Sequence, residues 1–127
     1  MEFDDREKGL VEENDLCRLA TLSPNGWPHC VPVGYVYLGG SFYVPASGNS
    51  KKVLNLRGTN RATILIDEEK SESGVMIECV SRMLGGDEAA RLREYMRRRK
   101  GWQNDETTAV IKLEPVKKAS WSPGQVR

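Results

Sequence analysis

Ser47, Ser50, Lys51 and Lys52, in the stretch VPASGNSKKVLNLR, put two hydroxyls and two ammonium groups within six residues. Such a set can hold an anion, and a phosphate fits it best. Ser50 can cap a helix that starts at Lys51 and presents Val53, Leu54 and Leu56 as its apolar face. A helix start offers unpaired N–H groups and a partial positive charge. Two cations in the first turn oppose the helix dipole, and a bound anion would offset that cost. Gly48 allows close approach of a ligand to the backbone. The spacing is not that of a GxxxxGK[ST] loop. A solvated surface turn uses the same residue types, so these residues alone leave both readings open.

The segment RLATL offers a second set. In a strand, Arg18, Ala20 and Leu22 share one face while Leu19 and Thr21 share the other. Arg18 stands at the edge of a long region, Leu19 to Ser50, that contains no Asp, Glu, Lys or Arg. Its planar fork can pair with a phosphate or a polar ring, or simply reach solvent. In PHCVPVGYVY, Pro32 removes a ladder N–H in mid-strand. It therefore belongs at an edge or bulge, with neighbouring backbone groups free to bond a flat heterocycle. His29 is the single histidine and offers half of a haem or metal site. Its neighbour Cys30 points to the opposite face of a strand, which argues against a Cys-His dyad.

Other charged runs read as surface. RRRK, Arg97 to Lys100, closes a helix, where cations suit the dipole, and Glu94 precedes Arg98 by four residues. With 19 basic and 18 acidic residues and a net charge of +1, the chain lacks the electrostatic footprint of a nucleic-acid or membrane binder. No Ser/His/Asp set or carboxylate pair emerges, so no residue is assigned as a catalytic acid or base.

Something must position these groups. The 127 residues suit one domain, 1–127, large enough to build its own core. Cys17, Cys30 and Cys79 are odd in number and widely spaced, which fits a reducing interior rather than a disulfide framework. MEFDDREKGL lacks the apolar core of a signal peptide, and the uncharged region is broken by Pro24, Pro28, Pro32 and Pro45. A soluble cytoplasmic protein is expected. Leu10, Val11 and Leu16 suggest a short helix before CRLATL. SPNG and GGS then close hairpin turns around WPHCVPVGYVYL and FYV. RATILID and GVMIECVSRML read as strands, GDEAARLREYMRRRKGW as a helix capped by Asp87, and TTAVIKLEPVKKASW as a last strand. The strands come in hairpins instead of alternating with helices. A small antiparallel barrel of about six strands with flanking helices is the expectation.

Taken together, RLATLSPNGWPHCVPVGYVY, FYVPASGNSKKVLNLRGTNRATILID and GVMIECVSRML resemble the pyridoxamine 5'-phosphate oxidase-like, FMN-binding split-barrel superfamily. The likeness is greatest to its small flavin-binding and nitroimidazole-reductase-like members, and it runs from about Leu10 to Trp121. It implies a six-stranded antiparallel split barrel, a homodimer, and FMN bound between the two subunits. Lys51 and Lys52 would hold the flavin phosphate, with Ser47 and Ser50 beside them. Arg18, Ala20 and Thr21 would flank the ribityl chain and ring, with Pro32 and Val33 along the isoalloxazine. Trp121, or else Trp102, would cover the cofactor from the partner chain.

The resemblance also implies redox work with a small-molecule substrate or electron donor. Relatives that bind the deazaflavin F420 or haem supply the alternatives: an F420-dependent reductase, or a non-catalytic flavin- or haem-binding protein. Ser23 stands where oxidases that make pyridoxal phosphate carry a basic residue, and the chain ends WSPGQVR without their Arg-x-His motif. Both departures point away from pyridoxamine phosphate as the substrate.

Overall fold

The structure, a computed structural model, describes residues 1–124. In chain order it contains α1 (Asp5–Glu13), β1 (Leu16–Leu22), β2 (Pro28–Gly34), β3 (Val36–Leu38), β4 (Ser41–Ser47), α2 (Lys51–Gly58), β5 (Arg61–Glu68), β6 (Ser73–Met83), α3 (Gly86–Lys100) and β7 (Thr108–Trp121). The strands form one antiparallel sheet of seven, ordered β2-β1-β5-β6-β7-β4-β3. The sheet curls so that β2 also meets β4.

The expected six strands become seven because WPHCVPVGYVYL breaks at Tyr35. That side chain is buried and its hydroxyl donates to the Val11 carbonyl at 2.6 Å. Its backbone N–H goes to Asp15 O instead of to a neighbouring strand. The chain therefore turns off β2 to begin the short β3. Asp87 does not cap α3: Gly85 occupies that position, and Asp87 lies in the first turn, where a carboxylate suits the dipole.

Alternation along β1 sorts its side chains. Cys17, Leu19 and Thr21 are buried inside the curl, while Arg18 and Leu22 are exposed outside and Ala20 is half-buried there. The inner core joins these to Ile64, Ile66, Val75, Ile77, Val44 and Leu113, closed by Leu10 and Val11 of α1 and by Val53 and Leu56 of α2. A second, smaller cluster lies on the outer side, where Ala89 and Met96 of α3 pack on Val36 and Val110. Thus α3 covers the β3–β4–β7 part of the outer surface. Elsewhere on that surface Leu16, Leu22, Met76, Val80 and Val116 stay exposed. Among the described residues, no helix is long and apolar enough to cross a membrane.

Candidate functional site

Lys51 and Lys52 do open a helix. Ser50 precedes it in extended conformation, but its hydroxyl does not cap the helix. It donates instead to Ser47 O at 2.7 Å, while Ser47 Oγ donates to Asn49 Oδ1 at 2.7 Å and the Ser50 N–H goes to Ser47 O at 3.0 Å. The hydroxyls close the turn upon itself because Ser and Asn side chains bond readily to nearby backbone. The first N–H groups of α2 therefore receive no side-chain cap. Lys51 is exposed and Lys52 half-buried, and neither has an acidic partner among the described residues. Uncapped N–H groups and two unpaired ammoniums fit a phosphate.

One turn further along α2, Asn55 is buried and donates from Nδ2 to Thr21 Oγ1 at 3.0 Å and to Ser23 Oγ at 3.4 Å. This amide sets the basic helix start against the end of β1. It also occupies Thr21, whose side chain faces the interior. A ligand on the outer face can meet Thr21 only through its backbone.

The outer face carries another part of the expected set. Arg18 pairs across the ladder with Pro32, and Ala20 with Cys30 on one side and Thr63 on the other. Pro32 is exposed and lies on β2, an edge strand of the order given above, as its missing N–H requires. Val33 points inward and is buried, leaving only its backbone for a ligand. Arg18 has an ion-pair partner, Asp67, at 3.8 Å, so its charge is already partly met.

Next to Ala20 a groove of about 500 Å³ runs over β1, β5 and β6, lined by Leu22, Pro28, Thr63, Glu78, Val80 and Val116 among others. Its wall depends on a bulge. Glu78 pairs with Lys117 and Cys79 with Pro115, so Val116 is left unpaired and 60% exposed. The apolar groove beside Ala20 suits a planar ring. Thr63 and Val116 were not legible as lining residues, because nothing in a single sequence marks the register that brings them there.

Trp121 lies elsewhere. It pairs with Gly74 at the end of β7, whereas the Ser47 turn pairs with Thr108 at the start of that strand. The contour between them is roughly 40 Å. Trp121 instead shares a groove with Arg18, Asp67 and Glu72. Trp102 packs over Gly34, where a built Cβ would come within 2.9 Å of its ring.

His29 sits opposite Thr21 on β2, and its buried Nδ1 has no hydrogen-bond partner among the described residues. Cys30 is exposed on the other face, so the two form no dyad. Cys17 and Cys79 are buried, and burial pushes both thiols up to about 12, which keeps them protonated and unreactive. No group of three or more His, Cys, Asp or Glu side chains is placed to hold a metal among the described residues.

Comparison with known proteins gives this geometry a context. Residues 3–122 match the family model for pyridoxamine 5'-phosphate oxidase. The search of curated proteins found no match. Among solved structures, a candidate pyridoxamine 5'-phosphate oxidase of Listeria innocua superposes with a TM-score of 0.79 at 17% identity, over 94% of this chain and 98% of that one. The haem storage protein HutZ of Vibrio cholerae gives 0.77 at 17% identity, over 96% and 95% of the two chains. A protein described as an F420 reductase gives 0.77 at 13% identity, over 92% and 98%. At these identities the likeness is one of fold.

Proposed function

This chain belongs to the pyridoxamine 5'-phosphate oxidase family, and from that premise we propose that it binds FMN and serves as a flavin-dependent oxidoreductase. The observation that carries the reading is the start of α2, where two lysines without acidic partners among the described residues meet uncapped N–H groups. Lys51, Lys52 and the backbone of the Ser47–Ser50 turn hold the phosphate. Asn55 keeps that anchor against β1. Ala20, together with the backbone at Thr21 and beside Pro32 and Val33, carries the ribityl chain and ring. FMN, when bound, supplies the hydride or electron transfer; the protein contributes binding, orientation and exclusion of water.

The site is completed by a second copy of the chain. The bare outer face with Leu16, Leu22, Met76, Val80 and Val116 gives a homodimer an apolar surface to bury. Trp121, too far along β7 to reach the lysine turn of its own chain, then covers the cofactor of the partner. The substrate is a small molecule taken from the open side of the flavin.

The test is reconstitution. The purified protein, mixed with FMN and passed over a desalting column, should stay yellow and quench flavin fluorescence, and NAD(P)H or a small acceptor should change the flavin's redox state. A colourless protein would overturn the reading. A yellow protein inert to every donor and acceptor would keep the flavin and discard the enzyme.

A further inference from the structure

The groove beside Ala20 is apolar except along one side. Leu22, Val80 and Val116 give it a hydrocarbon lining, while Thr21 and Cys79 turn their polar atoms inward, to Asn55 and to Ile77 O. The polar side chains left to face the groove are Arg61, Thr63 and Glu78. Strand register groups them. Thr63 lies opposite Glu78, and Arg61, two residues earlier on β5, shares the face of Thr63 and is the diagonal neighbour of Glu78. Side chains of that length can meet across a diagonal, yet no ion pair joins Arg61 to Glu78. Lys117 stands opposite Glu78 on β7 and does not pair with it either. Among the described residues, the side chains of Arg61 and Glu78 make no hydrogen bond or ion pair at all, and both are exposed.

A strong donor and a strong acceptor thus stand side by side, unused, along an apolar groove of about 500 Å³. An imide edge is their complement: a carbonyl acceptor next to an N–H donor. The isoalloxazine ring carries that edge on its pyrimidine portion, and so does the deazaflavin of F420. A porphyrin does not, and its propionates would set like charge against Glu78. We propose, on the reading that this groove seats the ring of the cofactor, that Glu78 accepts from the imide N–H while Arg61 donates to the adjacent carbonyl. The groove then selects rings with an imide edge over other flat ligands of similar size. The apolar walls exclude water once the ring is seated, which strengthens both bonds.

Phosphate-free ligands test this apart from the lysine turn. Riboflavin and N3-methylriboflavin differ only at the imide nitrogen, and the deazaflavin core of F420 keeps the N–H. Binding of each to the full chain is read by the ligand's own fluorescence. The parent should bind riboflavin, or the deazaflavin core against its N-methyl form, at least tenfold more tightly than the methylated ligand, because a site built for an N–H rejects a ligand without one. The ring bound more tightly names the source of the edge. Glu78→Leu should shrink the ratio below about twofold, whereas Glu78→Gln, which keeps an acceptor, should retain part of it. Arg61→Leu should weaken both members of a pair severalfold and leave their ratio in place. A ratio near one in the parent, or one unchanged in both Glu78 variants, would overturn the proposal. FMN binding without measurable binding of either phosphate-free ring would overturn it too, and leave the phosphate anchor standing. If FMN also fails to bind, the proposed function falls with it.

Discussion

Asn55 donates to Thr21 at 3.0 Å inside the protein, and that single amide joins the helix of Lys51 and Lys52 to the strand of Arg18 and Ala20. The two halves of the proposed cofactor site are separate in sequence. A buried polar contact between side chains fixes their spacing. Asn55→Ala removes it and leaves Thr21 and Ser23 to find other partners. A loss of about 1–3 kcal/mol in unfolding free energy is expected from denaturant titration. FMN affinity should fall as well, by more than riboflavin affinity, because the phosphate anchor shifts relative to the ring platform. An unchanged ratio of the two affinities would mean that the helix start is positioned without Asn55.

Charge reversal at Lys51 and Lys52 addresses the anchor directly. The double substitution to Glu should weaken FMN by about 1.5–3 kcal/mol per lysine, the worth of a charge-assisted contact. Riboflavin, lacking the phosphate, should change little. Equal losses for both ligands, read by fluorescence quenching, would assign the lysines a role in folding.

Gly74 faces Trp121 across β6 and β7, and a built Cβ there would lie 2.2 Å from Cζ2 of the indole. Gly74→Ala must therefore move the ring. The expected outcome is a shift in tryptophan emission that vanishes in a Trp121→Phe background, with a destabilisation of about 1–3 kcal/mol from overpacking. An unmoved emission spectrum would show that the indole is held less firmly than the packing implies.

Glu7, in the first turn of α1, is 3% exposed, ion-paired with Lys118 and accepting from the Asp4 N–H at 2.9 Å. Burial by itself would raise its pKa, but the hydrogen bonds from Lys118, Asp4 and Ser120 outweigh it and hold the carboxyl below its usual 4.5. A carboxyl lowered in the folded state contributes stability above its unfolded value and loses it as pH falls through the folded one. Stability should thus decline from just under pH 5 downward. Glu7→Gln should flatten that acid limb while costing stability at neutral pH. If the acid limbs of the two proteins coincide, Glu7 is not the group responsible.

The bare half of the outer sheet predicts the oligomer. Val116→Glu with Met76→Glu places carboxylates on exposed apolar positions that nothing among the described residues covers. Sedimentation should find the parent as a dimer and the variant as a monomer, with unfolding little changed. A monomeric parent would remove the dimer from the proposal.

Much of this fold was legible because period-two alternation is strong where one face is buried. Leu19 and Thr21 against Arg18, Ala20 and Leu22 could be sorted from RLATL alone. The same rule failed over WPHCVPVGYVYL, where no polar alternation marks a face; the break at Tyr35 depends on a bond to Val11 in α1. Ser50 was identified as the residue before the helix, but its bonding was not, since its hydroxyl had a nearer acceptor in Ser47 O. Asn55 was missed outright. An Asn in mid-helix looks like a surface residue until the strand it touches is known.

Trp121 ends a 14-residue strand, whereas Lys51 opens the helix just after Ser47, which pairs with that strand's first residue. Under the proposed pairing, no protomer owns a whole cofactor pocket, and two differently broken genes could mend one another. Co-expressed chains lacking the lysines in one and the indole in the other would assemble mixed particles with one intact pocket of every two. Recovered flavin would then reveal subunit exchange as a genetic phenomenon.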